Sequence, residues 1–206
     1  MYKAMFSSQK LYIVLEYCEQ DLSEIILKSQ GLSEQLAGHY MHQICLGIAA
    51  LHSHNIAHRD LKPENILLVQ HSIRISDFGV SRLVKDSSAI TPCGTIFYTA
   101  PDIIRVEQAQ ETQYDALKCD VWSTGIILYV MLTGSFPFYD KCLNKLKLKI
   151  LSCKFFLPQT ISPGAADLLQ RILVPYQHDR PSITEVLLHP YFSLLTRCGN
   201  ESDSGS

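Results

Sequence analysis

Two short β-prone runs, Ile66-Leu67-Leu68-Val69 and Ile73-Arg74-Ile75-Ser76, flank Gln70-His71-Ser72. Runs of this kind around so brief a polar spacer fold back on themselves as a hairpin. A three-residue turn pairs Val69 with Ile73 and sets Asn65 directly opposite Asp77. Facing Cα atoms in an antiparallel pair lie about 4.5–5.5 Å apart, so this register brings a carboxamide oxygen and a carboxylate to one end of the hairpin.

Such a pair of hard oxygen donors suits Mg²⁺, which one or two protein groups hold together with phosphate oxygens and water. Asp60 stands five residues before Asn65, beside the same end, where a carboxylate can orient a hydroxyl and take its proton. Lys62 adds a positive charge suited to a transferred phosphoryl group.

The run His58-Arg59-Asp60-Leu61-Lys62-Pro63-Glu64-Asn65, with Asp77-Phe78-Gly79 after it, resembles the catalytic and metal-binding motifs of eukaryotic protein kinases. From about Leu11 to Phe192 the chain resembles their large C-terminal lobe. The resemblance implies Asp60 as catalytic base, Asn65 and Asp77 as Mg²⁺ ligands, and ATP as the phosphoryl donor. It implies supporting roles for His58 and Phe78. Lys62 in Asp-Leu-Lys-Pro-Glu-Asn is the form of serine/threonine rather than tyrosine kinases.

Downstream, Gly94-Thr95-Ile96-Phe97-Tyr98-Thr99-Ala100-Pro101-Asp102 resembles the end of an activation segment, with Asp102 where the family usually has Glu. Arg180 resembles the late arginine that pairs with that carboxylate. Asp120-Val121-Trp122-Ser123-Thr124-Gly125 resembles the start of the lobe's central buried helix, its opening Asp120 hydrogen-bonded to the catalytic loop. Thr91 stands where many such kinases are phosphorylated by an activating kinase, with Arg59 to receive the phosphate; Ser87 and Ser88 are alternatives. Glu16 to Cys18 resembles the hinge whose backbone holds adenine, with Leu67 also in the nucleotide site. Asp21 resembles the acid that reaches the ribose or a basic substrate side chain, and reads equally as a solvated acid at a helix start. Three further segments, Thr133 to Phe138, Ile161 to Ala165 and His189 to Phe192, resemble the calcium/calmodulin-dependent kinase-like group.

Periodicity adds a helix capped by Ser33 that presents Leu36, Tyr40, Ile44, Ile48 and Leu51 on one face. Further helices are expected around Cys142 to Leu151, Ala165 to Leu173 and Ile183 to Leu188. The expected fold is α+β: a kinase-like large lobe, mainly helical, with a small hairpin at the catalytic site.

Leu11 to Leu15 reads as a strand. The ten residues before it contain no glycine, and Lys3 and Lys10 are their only lysines. Residues 1–15 are therefore expected to be a remnant of a small lobe, 16–195 the large lobe and 196–206 a disordered polar tail. Two readings stay open: a serine/threonine kinase acting as part of a complete kinase, or a catalytically inactive truncated kinase serving as a binding or regulatory module.

A net charge of −2 over 206 residues gives no nucleic-acid footprint. The longest apolar run, Ile126 to Leu132, is too short to cross a bilayer. Seven scattered cysteines without a Cys-x-x-Cys spacing suggest neither a zinc site nor a disulfide framework, and an intracellular setting, cytoplasmic or nuclear, is expected. The expected partners are protein substrates bearing Ser or Thr, with basic residues upstream favoured by Glu64 and Asp21.

Overall fold

A computed structural model describes residues 2–84, the backbone of 88–89, and residues 94–193. The expected polar tail 196–206 lies outside the described residues. The chain opens with an antiparallel hairpin, β1 (Lys3–Phe6) and β2 (Leu11–Val14), in which Lys3 faces Val14 and Phe6 faces Leu11. It continues through β3 (Gln20–Asp21), α1 (Leu22–Ser29), α2 (Glu34–Ser53) and β4 (Ile56–Ala57). A 3-10 turn, Pro63–Asn65, leads into β5 (Ile66–Val69), β6 (Ser72–Ile75), β7 (Arg82–Leu83) and β8 (Ser88–Ala89). A second 3-10 turn, Ile96–Tyr98, precedes α3 (Pro101–Glu107), β9 (Tyr114–Asp115) and α4 (Ala116–Thr133). The last described helices are α5 (Leu143–Ser152), α6 (Pro163–Ile172) and α7 (Ile183–Leu187). The body is mainly helical with small two- and three-stranded sheets, an α+β architecture.

Helix α4 is the centre. From Gly125 to Met131 every side chain is buried, as an all-apolar stretch demands. It is the one helix among the described residues long and apolar enough to cross a membrane, and it is occupied instead by protein contacts. Gly125 lets α6 approach closely: a Cβ there would stand 2.5 Å from Ile172 Cγ2 and 2.9 Å from Leu173 Cδ2. Helix α2 packs beside α4, burying Tyr40, Ile44 and Ile48 while Leu36 and Leu51 are half-buried at the ends of the same stripe. Ser33 caps α2, its hydroxyl accepting from Leu36 N.

The sequence motif placed Asp120 at the opening of the central helix, and the structure corrects this. Asp115 is the cap, accepting from Leu117 N at 2.9 Å and Lys118 N at 3.1 Å. Asp120 lies in the second turn, buried. A short acid just outside a helix reaches the first free amides, whereas one inside the helix must find partners elsewhere in the fold.

Asp102 and Arg180 form a second buried polar centre. Arg180 Nη2 donates to Asp102 Oδ2 at 2.8 Å and to Val174 O at 3.1 Å, Nη1 donates to Lys118 O, and the guanidinium lies 5.2 Å from the Trp122 ring centre. Asp102 also accepts from Arg105 Nη1 and Gln177 N. One shorter carboxylate thus joins α3, α4 and the segment before α7. Removing one member of a buried pair strands the other charge, at a cost of about 3–5 kcal/mol. Asp102→Ala is expected to lower unfolding stability by about that amount; a urea midpoint within error of the parent would show that the pair carries no such weight.

Candidate active site

The hairpin forms, but its register differs from the sequence reading by one residue. Its turn has two residues, Gln70 and His71, so Val69 pairs with Ser72, Leu68 with Ile73 and Ile66 with Ile75. Gln70 sits at φ 56°, in the left-handed region that two-residue hairpin turns use. Burial explains the choice. The observed pairing sets buried Ile66 and Leu68 against half-buried Ile75 and Ile73; the other register places Leu68 opposite Arg74, and a one-residue slip turns a strand's apolar set the wrong way. Asn65 therefore meets Ser76, whose N and Oγ both donate to Asn65 O at 2.9 and 3.0 Å. Asp77 lies one step further along, exposed, at φ 60°.

The loop before the hairpin is held from below by α4. Asp120 Oδ2 accepts from His58 N at 2.8 Å and lies 3.0 Å from His52 Nε2, while Oδ1 accepts from Arg59 N at 2.8 Å. Arg59 has φ 71°, a conformation non-glycine residues adopt at a cost of about 1–3 kcal/mol. His58, fully buried, braces the other side: its Nδ1 accepts from Asp60 N at 3.3 Å, and its Nε2 donates to Ser76 O at 2.9 Å. The Phe78 ring rests 5.2 Å from the imidazole.

On this support Asp60 is oriented by three side chains. Lys62 Nζ donates to Oδ2 at 2.7 Å, Thr95 Oγ1 donates to Oδ1 at 3.3 Å, and Asn65 Nδ2 donates to Asp60 O at 2.8 Å. Lys62 also donates to Thr95 Oγ1 at 3.2 Å, closing a triangle. Thr95 was not among the sequence candidates; the signal for it was the small, turn-forming Gly94 beside it. Gly94 has φ 101°, and a Cβ there would come within 3.0 Å of Arg59 O, so only glycine lets the Thr95 backbone lie this close to the loop.

Burial raises the Asp60 pKa, but the hydrogen bond and charge of Lys62 and the hydrogen bonds of Thr95 outweigh it, and the carboxyl sits below its ordinary value. Lys62 is raised, chiefly by its hydrogen bond to Asp60, with smaller contributions from the charges of Glu64 and Asp77. The pair is therefore ionised across the neutral range. Its stabilisation is in place above the ordinary carboxylate value of about 3.9 and is lost as acid carries Asp60 through its depressed value. At the alkaline end it is in place below about 10.4 and lost as pH rises through the elevated Lys62 value.

The donor set fits Mg²⁺. Asn65 donates through its NH₂ to Asp60, which leaves its carboxamide oxygen on the other side of the group. The exposed Asp77 carboxylate, near enough to act on Lys62, offers a second hard oxygen. Other candidates are placed differently. Asp21 caps α1, accepting from Ser23 Oγ at 2.5 Å and Glu24 N at 3.0 Å, a position at a helix start. Glu16 pairs with Arg74 at 2.7 Å, Cys18 Sγ donates to Glu16 O, and half-buried Leu67 sits in β5 between Asp21 and Arg74. Arg59 Nη2 donates to Tyr114 OH at 3.4 Å. Thr91 and Ser87 lie outside the described residues, as does the Ser88 side chain. Lys3 and Lys10 are both exposed, on β1 and in the turn after it.

Asp120→Asn replaces one accepting oxygen with an amide NH₂ that confronts a backbone N–H. Hydrogen bonds to a charged group contribute about 1.5–3 kcal/mol each. The expected outcome is faster amide exchange at His58 and Arg59 and a lower unfolding temperature; unchanged exchange at both amides would exclude Asp120 as the anchor of the loop.

Comparison with known proteins places this geometry in a family. The protein kinase domain model matches residues 1–192. The chain is 39% identical over 195 residues to a probable serine/threonine-protein kinase of Dictyostelium discoideum, covering 93% of this chain and 23% of that protein. It is 37% identical over 196 residues to the carbon catabolite-derepressing protein kinase of Candida glabrata, covering 94% and 31%. It is 38% identical over 208 residues to CBL-interacting protein kinase 10 of Oryza sativa, covering 98% and 44%. The chain thus spans less than half the length of these relatives, and on the match of nearly its whole length it belongs to the protein kinase family, among the serine/threonine kinases.

Proposed function

We propose that the protein transfers the γ-phosphoryl group of ATP to Ser or Thr hydroxyls of protein substrates, as part of a complete kinase domain in which residues 1–15 belong to the small lobe. The observation that carries this reading is the Asp60 carboxylate, ionised at neutral pH and clamped between Lys62 and Thr95. An incoming hydroxyl that donates to Asp60 is oriented for attack and gives up its proton there as the new P–O bond forms. Lys62, beside both Asp60 and the acceptor, stabilises charge on the transferred group. Asn65 and Asp77 would hold Mg²⁺, which would supply charge neutralisation at the phosphates. Adenine is held by backbone groups of residues 16–18, with Leu67 beneath the nucleotide.

Asp60→Asn in the full-length protein keeps the shape and removes the base. It is expected to lower kcat by about 10²–10⁴ while Mg·ATP affinity, read by nucleotide fluorescence, stays within about twofold. Full turnover by this variant would sink the assignment. The acid limb of the parent's kcat/KM profile should fall below the ordinary carboxylate range, because Asp60 must be ionised and its value is depressed; a limb above about 4 would point to another group.

A further inference from the structure

Strand β6 is an outer strand of its sheet, which runs in the order β3-β5-β6. A single side chain of α2 joins its outer edge. Gln43 Oε1 accepts from Ile73 N at 3.0 Å, while Gln43 Nε2 donates to His71 O at 3.0 Å and lies 2.9 Å from His39 Nε2. A carboxamide that bonds the carbonyl of one residue and the amide two residues on makes the two bonds a parallel strand would make there. Gln43 thus closes the edge beside the hairpin turn.

These bonds belong to one register. With the two-residue turn, Val69 faces Ser72 and Leu68 faces Ile73. Along an antiparallel pair, residues that exchange bonds with the partner strand alternate with residues whose amides face away from it. Ile73 is of the second kind, since its N–H goes to Gln43. A turn one residue longer would pair Ile73 with Val69, turn that N–H toward β5 and leave Gln43 without it. The same slip would carry Asp77 opposite Asn65, in place of Ser76, whose N and Oγ now donate to Asn65 O.

We propose that Gln43 is a positioning residue for the Mg²⁺ ligands: by holding β6 in the two-residue register it sets the offset between Asn65 and Asp77. The inference deepens the kinase reading and rests on it. Asn65 stands just before β5 and Asp77 just beyond β6, so a slip of one residue displaces one against the other by about 3.3 Å. Mg²⁺ accepts only near-ideal octahedral geometry and would not tolerate that displacement. Gln43 bonds neither ligand, and its effect travels through the hairpin.

The test uses the full-length protein and two readouts besides turnover. Mn²⁺ binding in the presence of ADP is followed by electron paramagnetic resonance of the free ion. Register is followed by hydrogen exchange of the Ser76 amide, which bonds Asn65 O. Gln43→Leu removes both bonds to the hairpin; it is expected to weaken Mn²⁺ binding by about ten- to a hundredfold and to speed Ser76 exchange. Adding Gln70→Asn with His71→Gly, which installs the strongest signal for a two-residue turn, should restore both readouts. Parental Mn²⁺ affinity in Gln43→Leu overturns the proposal. A loss of affinity that the turn replacement fails to restore overturns it too, because Gln43 then acts through general packing. The same comparison in Gln43→Glu, which keeps an acceptor for Ile73 N and loses the donation to His71 O, decides the matter where Gln43→Leu folds poorly. Phosphate transfer is measured separately. A parent that binds Mn²⁺ in this Gln43-dependent way and transfers no phosphate would defeat the kinase reading and leave the positioning role, whereas full transfer by Gln43→Leu with parental Mn²⁺ affinity defeats the role alone.

Discussion

The geometry of the candidate site depends on one buried carboxylate. Asp120 projects from the second turn of α4 and satisfies the amides of His58 and Arg59. Without that acceptor Arg59 would relax from its left-handed φ, and Asp60, the next residue, would turn with it. The helix supplies rigidity through packing, and the carboxylate transmits it to the loop. His52, at the end of α2, contacts the same oxygen as His58 N, so the two longest helices converge on the loop through a single side chain. A buried carboxylate is tolerated only where its oxygens find partners, and Asp120 has three.

A second tie works at longer range. Asp102 and Arg180 join the segment after Thr95 to the chain before α7, while Gly94 lets that segment lie against Arg59. The loop bearing Asp60 is thereby anchored by Asp120 of α4, and the segment bearing Thr95 by the Asp102–Arg180 pair. Their meeting point is the triangle of Asp60, Lys62 and Thr95. A site held by two anchors is sensitive to either, and a buried polar network of this kind is worth more than its separate bonds.

Much of this was legible in the sequence because short-range rules govern it. The apolar stripe of α2, the Ser33 cap and the all-apolar stretch of α4 follow from periodicity alone. So did the existence of the hairpin, but not its register: spacing permitted a turn of two or three residues, and the decision lay in which pairing put Ile66 and Leu68 against Ile75 and Ile73. The strand Lys3–Phe6 escaped notice because, like its partner, it buries nothing and has no alternation to read. Asp120 was misplaced at a helix start because the motif that begins with it was read as the start of the helix, whereas the fold starts the helix at Ala116, behind Asp115. Thr95 carries no chemistry of its own and gains a role only when Gly94 brings it to Asp60.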